Sequence, residues 1–333
     1  LLMLPISSRT GEFTSFADAL FTSTSAVCVT GLIVFDTATY WSLFGQFVIM
    51  LLIEIGGMGV ITVAASFAMI AGRKISLMQR STMQEAIAAP KVGGIVRLTI
   101  FVIKATLMIE LLGAVAMSPV FCRDFGIKGL WMALFHSVSA FCNAGFDLMG
   151  VKSPFSSLTF YADEPLINFP IMLLIIIGGI GFLTWDDIRA NRFHIHKYRM
   201  QSKVIISTTA ILILVPALYF YFFEFSDLGL KERIFSSLFQ SVTPRTAGFN
   251  TVDLTSMSEA GQFITIILML IGGSPGSTAG GMKTTTIAVL FAIAIATFRR
   301  REDANFFGRR INGDVLKNAA TVFLMYITLS GVG

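Results

Sequence analysis

Three short stretches of the chain share residue types in the same order. They are Leu20-Phe-Thr-Ser-Thr-Ser-Ala-Val-Cys-Val-Thr-Gly31-Leu32, Leu134-Phe-His-Ser-Val-Ser-Ala-Phe-Cys-Asn-Ala-Gly145-Phe146 and, one residue shorter, Leu238-Phe-Gln-Ser-Val-Thr-Pro-Arg-Thr-Ala-Gly248-Phe249. Their glycines are 114 and 103 residues apart. No carboxylate lies between Phe21 and Gly31, Phe135 and Gly145, or Phe239 and Gly248, so the chemistry on offer is that of main-chain carbonyls and hydroxyls. Each stretch is too short to cross a bilayer twice, yet long enough for a short helix that enters part-way and an extended return. Non-helical backbone at that depth must face protein or water. Its free carbonyls can replace the hydration shell of an alkali cation, glycine lets the chain approach the ion closely, and the C-terminal end of a short helix also favours a cation. The coordinating residues are then Val29, Thr30 and Gly31; Asn143, Ala144 and Gly145; Thr246, Ala247 and Gly248. Taken singly, each stretch reads more readily as a tight extracellular turn with a glycine cap; three matching copies favour coordination.

A second block follows the first two glycines: Ile49-Met-Leu-Leu-Ile-Glu-Ile-Gly-Gly-Met-Gly-Val-Ile-Thr62 and Ile171-Met-Leu-Leu-Ile-Ile-Ile-Gly-Gly-Ile-Gly-Phe-Leu-Thr184, with Ile271-Gly272-Gly273 as a shorter third copy. That third copy opens the stretch Gly272-Gly-Ser-Pro-Gly-Ser-Thr-Ala-Gly-Gly-Met-Lys-Thr-Thr-Thr286. Five glycines and Pro275 among ten residues oppose helix by about 1 kcal/mol per Gly and about 3 for Pro. The helix should break here, and the loop should line a cavity. A substrate site at 272–286 would make the chain a secondary carrier, the alternative reading. A phosphate-binding loop is not expected: Gly276 and Gly281 have the right spacing, but Met282 intervenes before Lys283-Thr284 and no strand precedes them. No enzymatic activity is anticipated.

Other residues carry weaker signals. Glu54, Lys104 and Glu110 fall in apolar runs, where charge is costly and is usually paired or functional; pairing is the favoured reading. Arg245 should brace its loop by bonding nearby carbonyls. Asp36, Asp147 and Asp253 follow the three glycines, either gathering cations at a mouth or serving as solvated loop acids. His136, His194 and His196 form no ligand pattern, and three cysteines at 28, 122 and 142 suggest neither disulfides nor zinc.

The elements that position these residues follow from composition. The 333 residues are 54% hydrophobic and 14% charged, against about 25% charged in a soluble domain. A soluble enzyme, a nucleic-acid binder and a disordered chain are excluded; the chain needs a lipid bilayer. Apolar runs at about 43–71, 98–121, 165–185, 204–223, 260–298 and 314–333 read as membrane helices, and Leu1–Leu4 as the tail of another. Linkers 72–99, 186–203 and 298–317 hold sixteen of the 25 Lys and Arg, which places them on the cytoplasmic side.

These motifs together resemble the Trk/Ktr/HKT superfamily of potassium transporters, in particular its bacterial KtrB-type membrane subunits. The resemblance spans nearly the whole chain and includes Gly276-Ser-Thr-Ala-Gly-Gly-Met-Lys283. It implies an all-α membrane protein of the plasma membrane, with pseudo-fourfold helix–pore loop–helix repeats around a central pore. The repeats would be 1–75 (first helix incomplete), 76–200, 201–300 with a broken second helix, and 301–333 as the start of a truncated fourth. Gly31, Gly145 and Gly248 take the first three filter positions. The resemblance also implies potassium as substrate, sodium as a coupling or stimulating ion, and no cofactor. Further implications are a homodimer and a cytosolic nucleotide-binding regulatory ring docked on the basic linkers. Gly272, Gly273, Pro275, Gly276, Ser277, Thr278, Ala279, Gly280, Gly281 and Lys283 would form an intramembrane gating loop, with Lys283 either repelling cations or snorkelling to the interface.

Overall fold

A computed structural model of the chain describes residues 1–60, 62–64, 76–87, 93–192, 194–301 and 303–332. In chain order its main helices are α1 (Phe16–Cys28), α2 (Leu43–Met58), α3 (Leu77–Ile87), α4 (Ile95–Phe125), α5 (Lys128–Phe141), α6 (Pro165–Gly179), α7 (Phe182–Asn191), α8 (Met200–Tyr219), α9 (Leu230–Val242), α10 (Glu259–Leu270), α11 (Thr284–Phe298) and α12 (Gly313–Val332). A two-stranded hairpin, Asn305–Phe306 against Arg309–Arg310, sits in the last basic linker.

Two of these helices are long and apolar enough to cross a membrane: α4, and α8 with the wider turn Phe220–Glu224 that prolongs it. On α4 the side chains of Leu107, Leu111 and Val115 are exposed along one face, while Thr106, Glu110, Gly113 and Met117 are buried on another. An outward apolar stripe, with Thr106 and Glu110 turned inward, differs from the pattern of a soluble helix and suits lipid.

The apolar run at 165–185 is two helices, not the single span expected: α6 and α7 meet at 97°. The chain turns at Gly181, whose φ of +89° few other residues adopt. Gly59, at the same place in the second block, has φ +83° and ends α2. The remainder of the expected 43–71 span, from 65 onward, lies outside the described residues, as do 72–75 and 88–92 of the first basic linker and thus Arg73, Lys74 and Lys91. The run at 260–298 is divided into α10 and α11. Leu1–Leu4 is not a helix tail; Pro5–Ser7 form a short 3-10 turn instead, closed by the Ser7 hydroxyl donating to Leu1 O at 2.9 Å.

Three helices that precede the glycine segments are too short to span a membrane. α1, α5 and α9 have 13, 14 and 13 residues, so each is about 20 Å long against a hydrocarbon core of about 30 Å. α5 is almost wholly buried, packed on α4, α2 and α6. α1 packs on α2, and α9 packs between α6 and α8. Phe121, Phe135, Phe141, Phe239 and Phe249 fill the space among them with less than 2% of their surface exposed. Local chemistry starts the helices where it should: Ser15 accepts from Asp18 N–H, and Ser42 and Ser258 accept from Gly45 and Gly261 N–H.

The second basic linker is folded against α7. Buried Asp187 accepts from Arg199 N–H at 3.0 Å and from the Ser202 hydroxyl, and pairs with Arg199 Nε at 3.3 Å. Two of its other cations, Arg189 and Lys203, lie over the rings of Phe101 and Phe307.

Candidate ion-coordination site

Each short helix ends just before one of the three glycine segments, and the segments share a backbone conformation. Val29, Asn143 and Thr246 have φ of +57°, +58° and +65°; two residues on, Gly31, Gly145 and Gly248 have φ of +72°, +72° and +83°. The residues between them, Thr30, Ala144 and Ala247, have negative φ. The amide preceding each glycine donates back to the last turn of its helix: Thr30 N–H to Ser25 O (3.0 Å), Ala144 N–H to Ser139 O (2.8 Å) and Ala247 N–H to Thr243 O (3.0 Å). In the second and third copies a hydroxyl adds a strut from the same residue, Ser139 to Phe146 O and Thr243 to Phe249 O, both 2.6 Å. In the first, Thr30 donates to Ser25 Oγ at 2.9 Å.

The three segments meet edge to edge. A Cβ built on Gly31 would stand 2.6 Å from Ala144 O and 3.5 Å from Gly145 Cα. One built on Gly145 would stand 2.5 Å from Ala247 O and 3.2 Å from Gly248 Cα. The nine residues singled out for coordination are thus brought together. A cavity of about 470 Å³ lies between the first and third segments, lined by Val29, Thr30, Thr246, Gly248, Gly280 and Gly281 among others.

The Gly-Gly pairs have a shared purpose of close approach. A Cβ on Gly56 would collide with Val27 O, and one on Gly178 with Phe141 O, two carbonyls at equivalent places in α1 and α5. In the third copy Gly272 meets Gly280 O instead, because the intervening loop has taken that place.

The residues between α10 and α11 form a self-paired loop docked under the second segment. Gly272 N–H donates to Met282 O (3.0 Å), Gly273 N–H to Gly280 O (3.2 Å) and Thr284 N–H to Gly273 O (3.0 Å). Ser274 and Thr284 hydroxyls lie 2.9 Å apart. The loop is tied to the α6–α7 bend by Ser274 N–H to Gly179 O (2.9 Å), Thr278 N–H to Gly178 O (3.2 Å) and Phe182 N–H to Gly276 O (2.7 Å). The Thr278 hydroxyl lies 2.9 Å from Phe141 O and 3.0 Å from Asn143 Oδ1, so the loop touches the second glycine segment directly.

Several single residues have partners that the sequence did not name. The Lys283 Nζ donates to Ala279 O at 2.9 Å, closing the loop on itself. Arg245 is buried, but among the described residues its guanidinium bonds no carbonyl and Nε has no partner; Asn143 Nδ2 instead reaches the main-chain O of Arg245 at 3.5 Å. The three acids past the glycines are turn caps. Asp36 accepts from Ala38 and Thr39 N–H with one oxygen and from Phe155 N–H with the other, joining the loop after Gly31 to the loop after Gly145. Asp147 accepts from Met149 N–H, and burial pushes it up to about 6. Asp253 accepts from the Thr255 hydroxyl and N–H, which hold it below the usual carboxylate range. Fully buried His136 is a brace the sequence did not reveal: Nε2 accepts from Leu148 N–H at 3.2 Å and Nδ1 donates to Met132 O at 2.7 Å. Glu54 approaches Glu110, not Lys104, which is exposed.

Comparison with known proteins places this geometry. The family described as TrkH, cation transport protein, matches residues 3–331. The potassium/sodium uptake protein NtpJ of Enterococcus hirae is 44% identical over 337 residues, taking in 99% of this chain and 73% of that protein. The Ktr system potassium uptake protein B of Bacillus subtilis is 39% identical over 341 residues, taking in 100% of this chain and 75% of that protein. The crystal structure of the potassium transporter TrkH from Vibrio parahaemolyticus shares the fold, with a TM-score of 0.73 at 22% identity over 96% of this chain. This chain spans 64% of the length of that one. The match across nearly every residue, at this identity, makes the chain a member of the TrkH family of cation transport proteins.

Proposed function

We propose that the protein takes up potassium across the plasma membrane as a channel-like subunit, with main-chain carbonyls of residues 29–31, 143–145 and 246–248 coordinating the dehydrated ion. The observation that carries this reading is the recurrence of one backbone conformation at three converging glycines. A repeated backbone conformation lets the three segments offer their carbonyls in the same way to one ion. Two relatives described as uptake proteins for potassium, or potassium and sodium, support the choice of ion. The four-repeat arrangement implied by the family resemblance has room for a fourth segment in the cavity between the first and third.

The loop at 272–283 gates the path. It lies against the second segment, is built mostly of glycine and small polar residues with Met282 as its one large apolar anchor, and is tied to its surroundings by hydrogen bonds that can be exchanged for water. Linkers 186–203 and 298–317, with the described part of 72–99, form a cytoplasmic basic surface on which a nucleotide-binding regulatory ring docks. The working unit is a homodimer, and sodium stimulates flux.

The decisive experiment is growth of a potassium-uptake-deficient host at limiting potassium. The full-length protein should restore growth, and Gly145→Ser should restore it poorly while admitting sodium. Absence of rescue by a well-expressed wild type overturns the reading.

A further inference from the structure

Glu54 on α2, Glu110 on α4 and Cys142 at the end of α5 come together behind the second glycine segment. One donor atom from each lies within 4.8 Å of the others. Glu110 and Cys142 are 3% and 0% exposed. The Cys142 thiol donates to Glu54 Oε2 at 3.5 Å. Glu54 Oε1 and Glu110 Oε1 are buried and have no hydrogen-bond partner among the described residues. Among those residues no cation is ion-paired with either carboxylate.

Two carboxyls and a thiol gathered at membrane depth, with oxygens left unpartnered, are costly unless something positive joins them. Two oxygen donors and one sulfur suit a borderline divalent cation. Zinc accepts thiolate and carboxylate together at about 2.0–2.3 Å, which sets tetrahedral ligands roughly 3.3–3.8 Å apart. The thiol and the Glu54 oxygen, at 3.5 Å, already have that spacing. Three protein donors leave a fourth position for water. An alkali cation prefers oxygen throughout and would leave the sulfur unused, so this cluster is not a further stop for the transported ion.

We propose that Glu54, Glu110 and Cys142 form an intramembrane binding site for one divalent cation of the zinc and cadmium class, distinct from the glycine segments. Binding displaces the thiol proton and any proton the carboxyls share, and the ion then faces anionic donors from three helices. The site is independent of whether residues 143–145 conduct potassium.

The test uses the full-length protein in detergent micelles, titrated with cadmium alone. An ultraviolet cadmium–thiolate charge-transfer band should rise and saturate at one ion per chain. It should persist when Cys28→Ser and Cys122→Ser are combined, leaving Cys142 as the sole thiol among these 333 residues, and vanish in Cys142→Ser. Glu110→Gln, which preserves shape, should weaken the affinity at least about tenfold, since even the outer partners of a metal ligand cost that much. A missing or non-saturating band in the Cys28→Ser, Cys122→Ser protein overturns the proposal. So does an affinity that Glu110→Gln leaves unchanged. Neither outcome depends on Cys142→Ser folding.

Discussion

A Cβ at position 145 would meet Ala247 O at 2.5 Å while the backbone holds φ at +72°. Gly145→Ser therefore moves the second and third segments apart and strains the turn by roughly 1–2 kcal/mol. Discrimination between potassium and sodium should fall by about tenfold, 1.4 kcal/mol of lost preference, in paired uptake measurements; equal discrimination in mutant and wild type would remove the filter assignment. Gly178 has an ordinary φ, so its role is space alone. Gly178→Ala presses a methyl onto Phe141 O and should cost about 1–3 kcal/mol, seen as a lower Tm in detergent; an unchanged Tm would show that α6 can shift away. Thr243→Val removes the 2.6 Å strut to Phe249 O and should cost about 1 kcal/mol by the same measurement. The glycines and hydroxyls at these positions were legible because they recur in order. The reason for the Gly-Gly pairs was not: that a carbonyl of a neighbouring helix rests on them is a tertiary fact. Arg245, Asp36 and His136 were opaque for the same reason, since a side chain's partner in this fold is set by elements far away in sequence.

At the scale of elements, apolar length was a sound guide to α4 and α8 and a poor one to α6. Sliding hydropathy counts residues and is blind to one left-handed glycine, so 165–185 looked continuous although Gly181 turns the chain by 97°. The break after α10 was readable because five glycines and a proline act together. Removing residues 276–282 should raise potassium flux in the absence of any regulator while α10 and α11 remain folded. Unaltered or lower flux in a protein of normal helix content would argue that the loop is structural. Thr278→Val is the milder version: it deletes the hydroxyl near Phe141 O and Asn143 and should raise basal flux less than the deletion does.

For the molecule as a whole, composition separates the membrane class from every soluble one, and charge placement alone implies an orientation. The stripe of Leu107, Leu111 and Val115 on α4 agrees with that class.

The docked loop, in its proposed gating role, is an energetic threshold. Its outward ties are the amides of Ser274 and Thr278, the carbonyl of Gly276 and the Thr278 hydroxyl. Four such bonds at about 0.5–1.5 kcal/mol net each hold it with roughly 2–6 kcal/mol. Inverting a two-state balance from 1:99 to 99:1 takes about 5.5 kcal/mol of differential affinity. In the proposed gating role, that puts the latch at a strength one well-matched effector can overcome, with small idle leakage and reversible release.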